Sequence, residues 1–185
     1  MSDPTLYDIA RETADPRTLV SAGMQMVAHA RSRLRVCGVP ETPKARMIVT
    51  IVEDWLADPT DAAAAGRAME HVGCVQEAED SASTSYCRAC AHLARLFSHC
   101  ITGQGLPLAH GLSDISMCAA GLDNVAINAC TCVALIEGLG RLNDPIYIAA
   151  WQQEAAWQRG CLESVLGWSK QTLSDTRLRN SLLAG

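Results

Sequence analysis

The chain has 185 residues, of which 49% are hydrophobic, 4% aromatic and 19% charged. This composition suits one folded domain with a core of Leu, Ala, Val, Ile, Met and Cys, and helices packed through small side chains fit it better than an aromatic-rich β-sandwich. The formal net charge of −5 argues against a general nucleic-acid binder, because contacts to phosphate need a basic face.

Helix boundaries are marked by short local signals along the chain. In several places an Asp or Thr stands directly before a proline, which places a capping oxygen before a first-turn proline. These pairs are Asp3-Pro4, Asp15-Pro16, Thr42-Pro43 and Asp144-Pro145. Glycines that follow periodic segments indicate helix ends. They are Gly38, Gly73 and Gly103.

The pattern predicts an all-α fold, a single-domain bundle of about six to eight helices without a convincing strand. The predicted helices are 4–13, 16–36, 43–57, 60–72, 77–102, 114–120, 123–140 and 145–173. The 123–140 helix is apolar on nearly all sides, so we expect it at the centre. The domain spans 1–173, 174–185 is a short C-terminal tail, and 103–114 is a structured loop or a lid.

The last predicted helix carries an apolar stripe that should face the core. The stripe consists of Ile146, Ala150, Trp157, Cys161, Val165 and Trp168. Trp151 lies off this stripe and is a candidate for an interface with a partner, because tryptophan is enriched at the energetic centres of protein interfaces.

Nine cysteines in a chain without a signal-peptide pattern predict free thiols in a reducing cytoplasm. No uninterrupted apolar run approaches the length of a membrane span, so we expect no membrane insertion. The scattered cysteines lie on apolar segments, where a free thiol packs as a small hydrophobic group.

One helix concentrates residues that can bind metals. Cys87, Cys90 and Cys100 share a helical face with core residues, while His92 and His99 lie on the opposite face. We therefore interpret the cysteines as core thiols and expect neither metal nor cofactor. The alternatives are a zinc or copper site, or thiol redox chemistry, at Cys87, Cys90 and Cys100.

The opposite face of the same helix carries Arg88, His92, Arg95 and His99. These potentially cationic side chains predict a surface for a protein partner with an acidic surface, and the alternative is a solvated helix face. The segment 47–86 holds one basic residue against eight acidic ones. A second copy of the chain could offer this acidic segment, so a homo-oligomer is possible.

No arrangement of residues in the sequence points to catalysis. There is no His-Glu-x-x-His, no Walker loop and no Gly-x-Ser-x-Gly. We therefore expect no enzymatic activity. The alternative is an enzyme that uses the 103–114 loop as a lid over His110.

Two stretches, "VEDWLADPTDAAAAGRAMEHVG" and "ITGQGLPLAHGLSDISMCAAGLDNVAINACTCVALIEG", resemble a bacterial family of uncharacterised helical proteins that are often encoded near type VI secretion genes. The resemblance covers 51–138. The sequence lacks the paired tryptophans and the Pro-rich loop that this family has between the two stretches. The resemblance implies a non-catalytic accessory of a secretion system, either an adaptor or a chaperone-like protein.

The functional prediction is therefore a non-catalytic protein–protein interaction module of a bacterial cytoplasm, most simply a secretion-system accessory. An immunity protein that binds a cognate toxin is the first alternative, and a Cys/His metal-binding or thiol-redox protein is the second.

Overall fold

The computed structural model describes residues 16–74, 81–103, 111–138 and 144–165. These residues form an all-α bundle, as the sequence predicts. The α-helices are α1 (Pro16–Val36), α2 (Pro43–Ala57), α3 (Ala64–Glu70), α4 (Ala82–Gly103), α5 (Gly111–Glu137) and α6 (Pro145–Val165), with a 3-10 turn at Val72–Cys74. The predicted helix 4–13, the tail 174–185 and the end of the predicted helix 145–173 lie outside the described residues.

The proline signals locate three helix starts correctly. Helix α1 begins at Pro16 and α2 at Pro43, where the Thr42 hydroxyl accepts a hydrogen bond from the Ala45 amide. At α6, Asp144 Oδ1 accepts from the Ile146 amide at 2.8 Å. Gly38 follows α1 with φ of +69°, a conformation that glycine adopts without a steric penalty.

Two predicted helices begin later than their periodicity suggests. Helix α3 starts at Ala64 instead of 60, after a turn in which Asp61 Oδ1 accepts from the Ala63 amide at 2.9 Å, and no described side chain caps its first turn. The Ser81 hydroxyl accepts from the Thr84 amide at 3.1 Å, and α4 starts at Ala82 instead of 77. A side-chain oxygen that satisfies a first-turn amide fixes the helix start there.

The prediction of separate helices at 114–120 and 123–140 is wrong. Helix α5 runs unbroken through Gly121, and it ends at Glu137. A Cβ on Gly121 would stand 3.4 Å from Leu96 Cβ of α4. This glycine therefore packs against α4 within a continuous helix and does not end a helix. The predicted 103–114 break is correspondingly shorter, since Gly103 belongs to α4 and 111–114 to α5, and 104–110 lie outside the described residues.

Helix α5 is the central element, as predicted, and contacts α1, α4 and α6. Its stretch Ala120–Glu137 has the length and hydropathy of a membrane span, and half of it is buried inside the protein. A core helix of a bundle has the same length and composition. In this structure the stretch packs as a core helix.

The core lies between α1, α2, α4 and α5. Trp55 and Phe97 meet edge to face, with ring centroids 5.0 Å apart. Gly23 of α1 lets its helix approach α4, because a Cβ at this position would stand 3.2 Å from both Leu93 Cδ1 and Leu96 Cδ2. Small residues at the crossings compensate for the low aromatic content by bringing the backbones close together.

Candidate functional site

The Cys87–Cys100 side of α4 faces the core. Cys87, Cys90 and Cys100 are all buried, and burial raises the pKa of the Cys90 thiol far above its ordinary value. A thiol with a raised pKa is a poor nucleophile and a poor metal ligand. Within the described ranges, no group of three His, Cys, Asp or Glu side chains is arranged to hold a metal ion.

Among the other cysteines whose burial the structure describes, two are buried, Cys161 is half-buried and Cys37 is exposed. Cys130 and Cys132 are buried in α5, and burial raises both of their thiol pKa values. Cys37 is exposed, so its prediction as a core residue is wrong. It follows the last residue of α1, Val36, which is itself 82% exposed, because the chain leaves the bundle here.

The predicted cationic stripe on α4 is less exposed than a free helix face. Arg95 is exposed, whereas Arg88, His92 and His99 are half-buried. Burial, with the nearby Arg95 guanidinium, lowers the pKa of His92. Helix α4 is surrounded by α1, α2, α3 and α5, so neighbouring helices partly cover the stripe.

The predicted core stripe of α6 is wrong by a rotation of about 80° around the helix axis, at 100° per residue. Ile146 is 60% exposed and Trp157 is 36% exposed. The residues that α6 buries are instead Glu154, Gln158 and Leu162. Trp151, singled out as an interface residue, falls within this buried sector of the helical projection and is half-buried.

Polar side chains point inward from α6 because they bind one another and α5. The Gln158 amide donates to the Ala126 carbonyl oxygen at 3.2 Å and to Glu154 Oε1 at 3.4 Å. Glu154 Oε2 lies 3.1 Å from His29 Nε2 of α1. A hydrophobic pattern alone places Glu and Gln outside, whereas paired polar groups can be buried at modest cost.

Because α6 is rotated in this way, its apolar stripe lies along a groove of about 580 Å³ between α1, α5 and α6. His29 and Arg33 form the α1 wall, and Val133 and Glu137 contribute from α5. The α6 wall includes Ile146, Ala150, Glu154 and Trp157. We call this feature the α1–α6 groove.

Aromatic stacking organises the wall of the groove. The imidazole of His29 stacks on the indole of Trp157, with ring centroids 4.0 Å apart and an interplanar angle of 26°. The same imidazole reaches Glu154 through Nε2. The His29 side chain of α1 therefore contacts both the Trp157 indole and the Glu154 carboxylate of α6.

Two carboxylates line the groove in different electrostatic situations. Glu137 pairs with the Arg33 guanidinium, and both side chains are about 40% exposed. The Glu154 side chain is only 4% exposed. Burial raises the pKa of Glu154, although its contacts with His29 and Gln158 act in the opposite direction. The folded protein therefore stabilises the charged form of Glu154 less well than water does.

A second buried carboxylate, Glu41, lies on the other side of α1 and is fully engaged. Its oxygens accept hydrogen bonds from the Tyr86 hydroxyl at 2.7 Å and from Arg31 Nη2 at 3.0 Å, with Arg46 Nε at 3.4 Å. Burial alone would raise the pKa of Glu41, but these donors outweigh it and lower that pKa. These contacts link α1, α2 and α4 through one carboxylate, and we call them the Glu41 cluster.

The α1–α6 groove is a feature that sequence reasoning missed. His29 and Glu154 are 125 positions apart, and neither belongs to a recognisable motif. The available signal is the spacing of Glu154, Gln158 and Leu162, which share a helical face at i, i+4 and i+8. The larger apolar residues on the neighbouring face, such as Ile146 and Trp157, give a stronger hydrophobic pattern than this spacing does.

No model of a known protein family, no functionally characterised protein and no solved structure matches this chain.

Proposed function

We propose that this protein is a non-catalytic protein–protein interaction module that receives a segment of its partner in the α1–α6 groove. The observation that carries the proposal is the outward-facing apolar stripe of α6. Ile146 and Trp157 keep 60% and 36% of their surface exposed while they line a groove. Covering such side chains with a partner stabilises a complex, and tryptophan is prominent at interface centres.

The chemistry of the groove supports binding more than turnover. Its lining includes no Ser, Thr or Cys among the residues that the structure describes, so no side-chain nucleophile of these types faces the His29–Glu154 pair. His29 already stacks on Trp157 and contacts Glu154. These contacts hold a recognition surface in a fixed arrangement, which limits the entropy lost on binding.

For the cellular role, we propose an accessory of a bacterial secretion system in the cytoplasm, supported by the sequence resemblance over 51–138. An immunity protein for a cognate toxin is the alternative within the same class of binding proteins. The identity of the partner separates the two roles.

The test uses two isoleucines on the first turns of α6 as a matched pair. Ile146 lines the groove, whereas Ile148 is 50% exposed and is not among the lining residues. The tagged full-length wild type, Ile146→Glu and Ile148→Glu are used for affinity capture from the source organism, and each captured protein is then purified and tested for direct binding. We expect wild type and Ile148→Glu to bind the same partner and Ile146→Glu to lose it.

Equal binding of the partner by all three proteins would show that the partner does not bind in the groove. Turnover of a small molecule that depends on His29 would contradict the non-catalytic assignment itself.

A further inference from the structure

We propose that the α1–α6 groove selects a basic side chain, Lys or Arg, presented beside an apolar residue of the partner segment. This inference rests on the proposed function and specifies the chemistry of the partner. It concerns a different surface from the cationic stripe of α4, for which the sequence predicts an acidic partner.

The charges that line the groove favour a cation. The Arg33 guanidinium is paired with Glu137, so these two charges offset each other locally. The remaining carboxylate of the described lining is Glu154, whose Oε2 lies 3.1 Å from His29 Nε2, so two carboxylates of the groove stand against one guanidinium. A cation is the complementary ligand, and a net charge of −5 on the whole chain favours its approach.

Glu154 also has unused capacity for hydrogen bonds. An ionised carboxylate has about four acceptor positions. The contacts described for Glu154 are His29 Nε2 at 3.1 Å and Gln158 Nε2 at the long distance of 3.4 Å. Counted over the described part of the chain, these contacts leave acceptor positions of Glu154 for an ammonium or guanidinium group. The fully engaged Glu41, which has three closer or comparable donors, shows the contrasting case.

An aromatic surface lies next to this carboxylate. Trp157 uses one side of its indole against His29 and keeps 36% of its surface exposed at the groove. Arg and Lys stack favourably on tryptophan, and their aliphatic stems pack on apolar side chains. Ile146 and Ala150 provide that apolar contact along the same wall.

The experiment uses a random-peptide display library selected against the full-length protein, with counter-selection against Ile146→Asn, an uncharged variant of a lining residue, to retain peptides specific for the groove. Each selected peptide is synthesised with its Lys or Arg and again with norleucine, which keeps the apolar stem and removes the charge. Binding is measured by calorimetry to wild type, to Glu154→Gln and to Glu53→Gln. Glu53 is a half-exposed glutamate outside the groove lining.

We expect the selected peptides to carry a basic residue beside an apolar one, and norleucine to weaken binding to wild type by about tenfold. This preference should disappear in Glu154→Gln and persist in Glu53→Gln. Circular dichroism establishes that both variants are folded, and Trp157→Phe provides a second groove variant with weaker binding.

The outcomes separate the two proposals. Groove-specific peptides that bind equally well with norleucine would overturn the basic-residue inference and leave the interaction module standing. A failure to select any peptide that discriminates against Ile146→Asn would count against both. Self-association in sedimentation that Ile146→Glu abolishes would show a second copy as the occupant, and it would also overturn the inference.

Discussion

Replacing Glu41 by glutamine tests whether the Glu41 cluster, which links α1, α2 and α4, stabilises the fold. Its side chain is 5% exposed, and its carboxylate accepts hydrogen bonds from the Tyr86 hydroxyl and from the guanidinium groups of Arg31 and Arg46. In Glu41→Gln, one carbonyl oxygen still accepts a hydrogen bond, but the new amide group places a donor against the Arg31 guanidinium.

The magnitude follows from the charged hydrogen bonds that the substitution removes. Hydrogen bonds to charged groups contribute about 1.5–3 kcal/mol, and breaking a buried ion pair costs about 3–5 kcal/mol. Because Glu41→Gln keeps one acceptor, we expect a loss of about 3 kcal/mol in the free energy of unfolding. In a domain of this size the melting temperature should fall by about 6–12 °C.

The assay is urea unfolding followed by circular dichroism, with Glu53→Gln as the matched control. Glu53 lies 3.9 Å from Arg31 with half of its side chain exposed, so the control should change stability by less than about 0.5 kcal/mol. The pKa of Glu41 is lowered by folding. Its contribution is therefore present above the ordinary carboxyl pKa of 4.5 and is lost as pH falls through the folded-state pKa.

The deficit of Glu41→Gln relative to wild type should consequently shrink in acid. A deficit that stays constant from pH 7 to about pH 3 would refute a stabilising role for the charge of Glu41. Equal stability of Glu41→Gln and Glu53→Gln at neutral pH would refute it as well.

Other buried or constrained positions give three further predictions. Folding raises the pKa of Glu154, so its stabilising contribution is complete below pH 4.5 and is lost as pH rises through the folded-state pKa. In urea titrations, the stability of Glu154→Gln relative to wild type should therefore increase from acid to neutral pH. A decrease would contradict this. Gly23→Ala should lower stability by up to about 2 kcal/mol, because its Cβ would crowd Leu93 and Leu96 by more than the gain of about 1 kcal/mol in helix propensity offsets. Thermal unfolding measures this, and an unchanged or raised melting temperature would contradict it. Among the described cysteines, Cys37 should react first with a thiol reagent under native conditions, as peptide mapping can show, and earlier labelling of buried Cys90 would contradict the packing.

The helices of this protein could be predicted because their signals are local. Thr42 and Asp144 stand directly before proline, and each caps the helix that follows. Such contacts span a few residues, so a single sequence contains all the information needed. The helix break predicted near Gly121 is wrong because this glycine serves a contact with Leu96, a residue of another helix.

The groove could not be predicted because it depends on which face of α6 turns inward. Apolar periodicity favours the face that contains Ile146 and Trp157. The structure buries the neighbouring face because Gln158 reaches the Ala126 carbonyl and Glu154 reaches His29. These partners lie on other helices, and their pairing is decided only when the helices have packed.

The polar attachment of α6 also has a consequence for how the bundle opens. Most core helices are held by large apolar side chains, whereas the described buried residues of α6 are Glu154, Gln158 and the single large apolar Leu162, besides its contacts with α1 and α5. A segment with little buried apolar surface undocks at a lower free energy than the global unfolding reaction. Helix α6 is thus expected to unfold locally before the central helices do, and a partner seated in the groove would slow amide hydrogen exchange in α6 more than elsewhere.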